Sequence, residues 1–347
     1  MRNTYALINL KNLENNIKEI ISYYPYEYYF GVIKANAYGH GFKVIPTMEK
    51  AGINYFCVAT LEEAQEARKL TNKPILIFGY VNIKDINIVK KNKFTLSIIS
   101  YEYFKELIKV NPSIKVHLKI NTGMNRMGIN NKEQINEVIT KIKDSSMELE
   151  GIYSHLATSG VNDGYYDKQI NNFKELTSDI NLSNIPIVHL FNSLALARHD
   201  KLPFCNGVRI GLMMYGFTYN INLSKLSLLK KKLFHKHLSP TTLTNSLKLQ
   251  KVLSLHSEVI NINQIHSGDF VGYGAKYIAK KDTFIAIIPI GHGDGITNAY
   301  QKVMINNYVY PIVSLCMDYL MVEVDNNVKL YDKVDLINQE LPISQIK

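Results

Sequence analysis

The stretch Tyr28-Tyr-Phe-Gly-Val-Ile33-Lys34-Ala-Asn-Ala-Tyr38-Gly-His-Gly41 carries the strongest signal for both fold and chemistry. Its first six residues are apolar or aromatic apart from one glycine, which predicts a buried strand that ends at Lys34. The α/β folds keep their chemistry at this end of their parallel strands, and a desolvated lysine amine there can form a Schiff base with a carbonyl. A lone lysine is more often a surface residue, but the small residues and glycines of the octet Lys34–Gly41 favour a functional site.

Strand-like runs alternate with amphipathic helical patterns through the first two thirds of the chain. The predicted strands are 28–34, 54–59, 75–79, 94–99, 114–120, 149–155, 187–191 and 207–210, with helices such as 61–70 and 132–142 between them. Eight such βα units favour a (β/α)8 barrel over an open doubly wound sheet. An open sheet would more often carry a phosphate fingerprint after its first strand, and neither G-x-G-x-x-G nor a P-loop follows here.

After about residue 240 the pattern changes to short strands joined by Gly, Asp and Asn turns. The predicted strands there are 254–262, 284–290, 303–305, 308–313 and 320–324. We therefore expect a barrel domain over 1–240 and a mostly-β domain over 241–347. The polar, basic stretch 220–245 reads as the hinge between them.

Composition excludes several classes of protein. The chain of 347 residues has a net charge of +10, but its lysines are dispersed, and the run Lys230–Lys232 is typical of a solvated linker rather than a nucleic-acid site. No apolar stretch is long enough to span a membrane, and the N-terminus lacks a signal-peptide pattern. Three widely separated cysteines indicate neither a disulfide framework nor a metal pair. We expect a soluble cytoplasmic protein with no metal.

Polar residues follow four further predicted strands at their carboxyl ends. Lys119 and Arg126 follow the fifth strand, His155 the sixth, His189 with Asn192 and Ser193 the seventh, and Arg209 with Gly211 the eighth. Any one of them alone is weak evidence, since a single histidine at a strand end is more often structural. In a barrel, however, all would converge on one face around Lys34.

With these partners the octet Lys34–Gly41 resembles the alanine racemase family, pyridoxal-phosphate enzymes built from a barrel and a β domain. The similarity runs from Tyr5 to Asp318, nearly the whole chain, and the secondary motifs follow in the family's order. The resemblance implies pyridoxal 5'-phosphate as the cofactor and a small amino acid as the substrate.

The resemblance also implies which two residues exchange the substrate's proton. Lys34 would hold the cofactor through its ε-amine and, once substrate displaces it, act as one base. Tyr273, in Val271-Gly-Tyr-Gly-Ala-Lys-Tyr277, would act as the other base from the opposite face. A phenol is a poor base near neutral pH unless its anion is stabilised, and residues matching His155 and Arg209 would do this. Because the family's β domain completes the site of the partner subunit, a homodimer is implied.

Further roles carry over position by position. Arg209 would face the pyridine nitrogen with support from His189, and a permanently charged guanidinium there disfavours protonation of the ring. Substrate-binding roles fall to Arg126 and Met317. Supporting roles fall to Asp318 and to Lys119, which matches a lysine that can be carbamylated. The implied cofactor-binding residues are Lys34, Tyr38, His155, Asn192, Ser193, Arg209, Gly211 and Leu212.

The sequence departs from the family pattern at two places. His292, in Pro289-Ile-Gly-His-Gly-Asp-Gly295, replaces a tyrosine that helps line the substrate entrance, so we expect altered access or pH response rather than altered chemistry. The sequence ends at Lys347 without a counterpart of the family's C-terminal segment, whose tyrosine contacts the phosphate. This departure bears on cofactor affinity and on selectivity for small substrates.

The favoured hypothesis is a two-base racemase that interconverts L- and D-alanine and supplies D-alanine for peptidoglycan. A serine or broad-specificity racemase is harder to exclude, because one added hydroxyl discriminates weakly without a dedicated pocket. A decarboxylase would need a different β-domain site. A non-catalytic pyridoxal-phosphate-binding protein is a further alternative, but the single-domain barrels of that kind lack the β domain that carries Tyr273.

Overall fold

The computed structural model describes residues 2–217 and 247–341, together with the short strand Ser239–Pro240. The chain divides into two compact units, Leu10–Leu249 and a second unit made of Met1–Asn9 with Gln250–Lys347. The N-terminal residues therefore group with the C-terminal ones, whereas the sequence patterns assigned them to the barrel domain. Apart from Ser239–Pro240, the predicted hinge and its run Lys230–Lys232 lie outside the described residues.

Parallel strands and helices alternate in the first unit. Its strands are β2 to β10 in a numbering that begins with β1 (Tyr5–Ile8) of the second unit: β2 (Tyr28–Val32), β3 (Tyr55–Val58), β4 (Ile75–Ile77), β5 (Thr95–Ile98), β6 (Lys115–Lys119), β7 (Glu148–Tyr153), β8 (Val161–Asn162), β9 (Ile187–His189) and β10 (Gly207–Ile210). Its helices are Leu10–Tyr23, Ile45–Lys50, Leu61–Arg68, Ile86–Lys91, Tyr101–Val110, Lys132–Lys143, Tyr165–Leu176 and Ser193–Leu196, and Lys34–Tyr38 forms one further turn. Short β11 (Ser239–Pro240) pairs with β8.

The predicted barrel is confirmed. Eight parallel strands pair in the order β10-β2-β3-β4-β5-β6-β7-β9, each within two residues of the predicted run. The two ends of this sheet meet through a bridge between Asn192 and Arg209, where the Arg209 N–H donates to the Phe191 carbonyl at 3.0 Å. The closure brings β9 and β10 side by side, so their carboxyl ends lie at one rim with that of β2.

The helices cover the barrel with apolar faces of helical period. In Lys132–Lys143 the buried residues are Ile135, Val138, Ile139 and Ile142, which recur at spacings of three and four. Its N-cap is Asn131, whose side chain accepts the N–H of Gln134. Apolar side chains such as Phe30, Tyr55 and Leu76 pack together, so the barrel is filled rather than hollow.

Antiparallel pairing organises the second unit, as its short apolar runs predict. The strands that follow β11 are β12 (Leu253–Glu258), β13 (Asn261–Ile265), β14 (Phe270–Val271), β15 (Tyr277–Ile278), β16 (Thr283–Ile288), β17 (Lys302–Ile305), β18 (Tyr308–Leu315), β19 (Leu320–Val324) and β20 (Lys333–Ile337). The main sheet has the order β1-β12-β20-β17-β18-β19-β16-β13. Its buried face includes Ala286, Ile288 and Val322.

The single strand predicted over 254–262 is wrong, because the chain changes partners in its middle. The N–H of Val259 donates to Asp332 at 3.0 Å, and the N–H of Ile260 donates to Ile287 at 2.9 Å. Consequently β12 pairs with β20 and β13 pairs with β16. The boundary falls at Val259 and Ile260, two adjacent apolar residues that interrupt the alternation of a single strand.

No helix among residues 2–217 and 247–341 combines the length and apolar character that a transmembrane span requires.

Candidate active site

A cavity of about 470 Å³ opens at the carboxyl-terminal rim of the barrel. This volume is in the range of pockets that hold small ligands and cofactors. The cavity brings together most of the site residues that the sequence predicts in the barrel. Those residues are Lys34, Tyr38, Lys119, Arg126, His155, Asn192, Ser193, Arg209, Gly211 and Leu212.

The chain turns left-handed directly after Lys34. Ala35, Asn36, Ala37 and Tyr38 have φ between 52° and 55°, and Gly39 continues at 83°. For residues with a Cβ this conformation costs roughly 1–2 kcal/mol each, so the surrounding structure must hold it in place. Steric strain of this kind is concentrated at functional sites.

Two side chains brace this turn. His40 is buried, and its Nδ1–H can donate to the Ala37 and Tyr38 carbonyls at 3.0 and 3.1 Å while its ring stacks on Tyr215 at 4.2 Å. The carboxylate of Glu63 accepts the Ala35 N–H at 2.6 Å. These contacts supply hydrogen-bond partners to backbone carbonyl and N–H groups of the left-handed turn, as a regular helix would have done.

Arg209 is buried and uses its terminal nitrogens fully. One of them donates to His189 Nδ1 at 2.8 Å and to the His189 carbonyl at 2.6 Å. The other donates to the carbonyls of Ser154 at 2.7 Å and Leu190 at 2.8 Å. Within the described residues no acceptor bonds the Nε–H, so this is the guanidinium donor left for a ligand in the cavity.

His189, which the sequence assigns as the support of Arg209, lies beneath it and is fully buried. Its ring is sandwiched between Phe30 at 4.5 Å and Tyr153 at 4.8 Å. Burial and the neighbouring Arg209 hold the pKa of His189 well below its usual range, so the ring is neutral. A neutral ring can present a lone pair to the guanidinium.

The cavity is strongly electropositive. Lys34, Lys119, Arg126 and Arg209 line it, and no Asp or Glu belongs to its described lining. Burial, followed by the charges of Arg126, Arg209 and Lys34, lowers the pKa of Lys119 to about 8. Burial and the same cations lower the pKa of His155 to about 3, so His155 is a neutral hydrogen-bonding group. Such a site suits anionic ligands.

Hydroxyl and amide groups meet at the β9 and β10 end of the cavity. Ser193 Oγ accepts the Gly211 N–H at 2.8 Å, so the backbone N–H of Gly211, an implied cofactor-binding residue, is engaged within the protein. Gly211 has no side chain, and a Cβ built there would lie 3.2 Å from the Tyr38 hydroxyl. Asn192 caps the helix Ser193–Leu196 by accepting the Ala195 N–H at 3.0 Å. Leu212 completes this corner of the lining.

Tyr273, Met317 and Asp318 belong to the second unit. Tyr273 is 78% exposed and Met317 is 61% exposed, which leaves both side chains free to meet a ligand. Their loops are packed closely within that unit. A Cβ on Gly272 would lie 1.9 Å from Ser314 Oγ, and a Cβ on Gly291 would lie 2.4 Å from the Met317 carbonyl. Only glycine fits at either position.

His292, which stands in place of the family's tyrosine, is also exposed in the second unit. Its Nδ1–H can donate to the Ile296 carbonyl at 3.0 Å, and its N–H donates to the Cys316 carbonyl at 2.9 Å. The ring is thus oriented by its own turn.

Several residues at or behind the site are not predicted by the sequence patterns. The cavity is also lined by Phe78, Met127 and Tyr153, and Glu63 and His117 lie in shells behind it. The sequence places His117 between Val116 and Leu118, at the centre of a predicted barrel strand. A buried polar residue in a barrel strand indicates a hydrogen-bonding network.

The residues present fit pyridoxal 5'-phosphate. The Lys34 amine is available for the aldehyde, and the Arg209 Nε–H is uncommitted in the cavity. Hydroxyls of Tyr38 and Ser193 and the surrounding cations suit a phosphate dianion. Within the described residues no group of three or more His, Cys, Asp or Glu side chains is arranged to hold a metal ion.

Comparison with known proteins gives consistent matches along the chain. Residues 8–219 match the alanine racemase N-terminal domain, and residues 252–347 match the alanine racemase C-terminal domain. Alanine racemase from Streptococcus agalactiae serotype Ia is 32% identical over 349 residues, which cover 98% of this chain and 89% of that protein. Alanine racemase from Listeria monocytogenes serotype 4b is 31% identical over 341 residues, which cover 96% of this chain and 85% of that protein.

Solved structures agree with these sequence matches. Alanine racemase from Clostridium difficile 630 superposes with a TM-score of 0.86 at 32% identity, covering 100% of this chain and 90% of that one. Alanine racemase from Bacillus anthracis with bound L-Ala-P gives a TM-score of 0.84 at 31% identity, and the match covers 97% of this chain and 86% of that one.

Proposed function

The chain belongs to the alanine racemase family of isomerases, and on that premise we propose that it interconverts L-alanine and D-alanine with pyridoxal 5'-phosphate as its cofactor. We further propose that it works as a cytoplasmic homodimer and supplies D-alanine for peptidoglycan. The observation that carries the proposal is one cavity that holds the Lys34 amine, the Arg209 guanidinium and no described carboxylate.

The cofactor, when bound, withdraws electrons from the substrate's amino group and so acidifies the Cα–H. Lys34 would hold this group through Nζ, and its amine would be free when substrate is bound. Its free amine then removes or returns a proton at one face of Cα.

A racemase needs a second base at the opposite face, and Tyr273 of the partner subunit is the proposed one. Phenols are poor bases near neutral pH, so a tyrosine in this role needs its anion stabilised. His155, neutral at the pKa of about 3 that its surroundings impose, can donate a hydrogen bond. The cationic lining around Arg209 favours the anion further.

Arg209 is proposed to limit side reactions. Its terminal nitrogens are fully committed to protein acceptors, which would leave the Nε–H to hold the ring nitrogen of the cofactor. A guanidinium keeps its proton, so Arg209 would not protonate that ring nitrogen, and the cofactor would withdraw electrons less strongly. Negative charge at Cα would then be less spread into the cofactor, which favours rapid reprotonation at Cα over transamination.

The substrate's carboxylate is proposed to meet Arg126 and the Met317 backbone N–H, with Asp318 supporting that loop. Arg126 is an exposed cation on the rim of the cavity, so a small anion reaches it readily. Tyr38, Asn192, Ser193, Gly211 and Leu212 are the proposed cofactor contacts at the phosphate end.

One assay tests this function. Purified protein loaded with pyridoxal 5'-phosphate is incubated with L-alanine, and D-alanine is measured with an enantiomer-specific assay, with L-serine in a parallel incubation. We expect D-alanine to accumulate and the Lys34→Ala variant to be inactive. If the loaded protein inverts neither enantiomer of alanine, the proposal fails, and faster inversion of serine would reassign the substrate.

A further inference from the structure

A chain of buried polar side chains crosses the barrel interior beneath Arg209. His189 Nε2 lies 2.9 Å from His117 Nδ1, and His117 Nε2 lies 3.2 Å from Glu150 Oε2. His117 is fully buried, and Glu150 is 6% exposed. Together with the bond between Arg209 and His189 Nδ1, these contacts join a guanidinium to a carboxylate through two imidazoles.

The ends of this chain fix the position of every proton within it. Arg209 can only donate, so His189 Nδ1 must accept and the His189 proton must lie on Nε2. That N–H donates to His117 Nδ1, which places the His117 proton on Nε2, where it donates to the carboxylate. A doubly protonated ring at either position would set two donors against each other. One arrangement of neutral rings therefore satisfies all the contacts.

Burial and ionisation favour the same arrangement. Burial holds the pKa of both histidines below its usual range. Burial by itself would raise the pKa of Glu150, but hydrogen bonds from His117, Lys115 and Tyr55 lower it to about 2. The carboxylate is thus a permanent acceptor at the far end of the chain.

The interior is shaped around this chain. A Cβ on Gly151 would lie 2.6 Å from the His117 ring, so only glycine leaves room for it. Glu150 Oε2 also accepts the Tyr55 hydroxyl at 2.6 Å, and Oε1 accepts Lys115 Nζ at 2.7 Å. With both oxygens bonded and its backbone in β7, the carboxylate has little freedom to turn.

We propose that Glu150 and His117 are positioning residues of the active site, which fix the tautomer of His189 and thereby hold the Arg209 guanidinium with its Nε–H toward the cofactor. The inference rests on the proposed function, because the role of Arg209 matters only if the cofactor binds there. Neither residue contacts the cavity, so both act through His189.

The proton positions can be observed without a variant. Neutron diffraction from crystals of the deuterated, cofactor-loaded enzyme should show deuterium on Nε2 of both His117 and His189 and none on either Nδ1. Deuterium on His189 Nδ1, or on both nitrogens of either ring, would overturn the inference. This result does not depend on which amino acid is the substrate.

A matched pair of variants tests the consequence for catalysis. Both oxygens of Glu150 accept hydrogen bonds, Oε1 from Lys115 and Oε2 from His117. In Glu150→Gln one of these oxygens is replaced by an NH2 group, so in either orientation of the amide a donor faces the Lys115 or the His117 donor. Glu148→Gln is the matched control. It removes an exposed carboxylate of the same strand that lies 3.4 Å from the same Lys115. We expect kcat for alanine to fall about tenfold or more in Glu150→Gln, as when an orienting partner is lost, with KM little changed.

The control variant should keep the kcat of the parent enzyme. Unchanged kcat in a folded Glu150→Gln enzyme, or an equal loss in Glu148→Gln, contradicts the inference. If Glu150→Gln does not fold, the neutron result on the parent enzyme decides. If the parent enzyme does not racemise alanine, the proposed function fails. The proton positions seen by neutron diffraction still decide whether His117 and Glu150 fix the tautomer of His189.

Discussion

The carboxylate of Glu63 accepts the backbone N–H of Ala35 at 2.6 Å and ties the left-handed turn after Lys34 to the next barrel loop. Its second oxygen accepts the Ala59 N–H at 2.7 Å. Glu63 lies in the first turn of the helix Leu61–Arg68, whose N-cap is Thr60. The position of Lys34 is therefore set by a residue of the following βα unit, and not only by its own strand.

Glu63→Gln should destabilise this turn, because an amide group cannot accept from both N–H groups at once. We expect the free energy of unfolding to fall by about 1–3 kcal/mol, the cost of an unsatisfied partner, and cofactor affinity to weaken. Urea denaturation and titration with pyridoxal phosphate measure the two effects. Glu66→Gln removes an exposed carboxylate of the same helix, bonded to Lys69, and should change both quantities little.

Lys34→Ala should abolish the visible absorbance of a lysine-bound cofactor, since Nζ of Lys34 is the amine that the proposal places on the cofactor. The spectrum of purified protein incubated with pyridoxal phosphate and then desalted checks this. Lys43→Ala changes an exposed lysine nearby in the chain and should leave the absorbance intact. Retained absorbance in Lys34→Ala would reassign the cofactor lysine.

Tyr273→Phe should remove one of the two proposed bases and leave the other. Loss of a general base typically costs 10²–10⁴-fold, so we expect inversion of alanine to fall by about that factor. Exchange of the Cα proton in deuterium oxide should persist for one enantiomer only. Tyr331→Phe, at a tyrosine that is 71% exposed, is the control. Full activity of Tyr273→Phe in both directions would rule out the two-base assignment.

Lys119→Met should stabilise the protein at neutral pH in CO2-free buffer. In the folded state Lys119 has a pKa of about 8, against 10.5 for the free side chain, so below pH 8 its charge favours the unfolded chain. The lowered pKa corresponds to a destabilisation of about 3 kcal/mol, which the substitution removes. This gain in the free energy of unfolding should be fully present below pH 8 and should be lost as the pH rises from about 8 to 10.5. Urea denaturation at pH 7 and pH 10 measures it, with exposed Lys109→Met as the control. An equal gain at both pH values would contradict the assignment.

Lys119 should also form a carbamate near pH 8, because a neutral amine reacts with CO2 and the product is an anion among cations. Arg126, Arg209 and Lys34 are the charges that act on it. Protein equilibrated with ¹³C-bicarbonate should show a carbamate resonance that is absent from Lys119→Met. The same resonance in that variant would place the modification elsewhere.

Strand order and rim chemistry were predictable because they depend on local patterns. Continuous apolar runs mark buried parallel strands, and polar residues directly after them lie at the carboxyl ends. The break between β12 and β13 was not predicted, because the two segments are nearly contiguous in sequence and the break depends on their different pairing partners. The pairing of Tyr5–Ile8 with β12 was missed for a similar reason, because it joins residues at opposite ends of the chain.

By itself, the sequence determined the barrel, the β domain, and most of the residues that line the cavity with Lys34. Their identity follows from residue type and order, which the chain carries locally. Only the tertiary structure decided how Lys34 and Arg209 are held. The left-handed turn braced by Glu63, and the His189–His117–Glu150 chain that orients Arg209, join residues far apart in sequence. Hydrogen bonds of this kind depend on distances that arise once the barrel has closed.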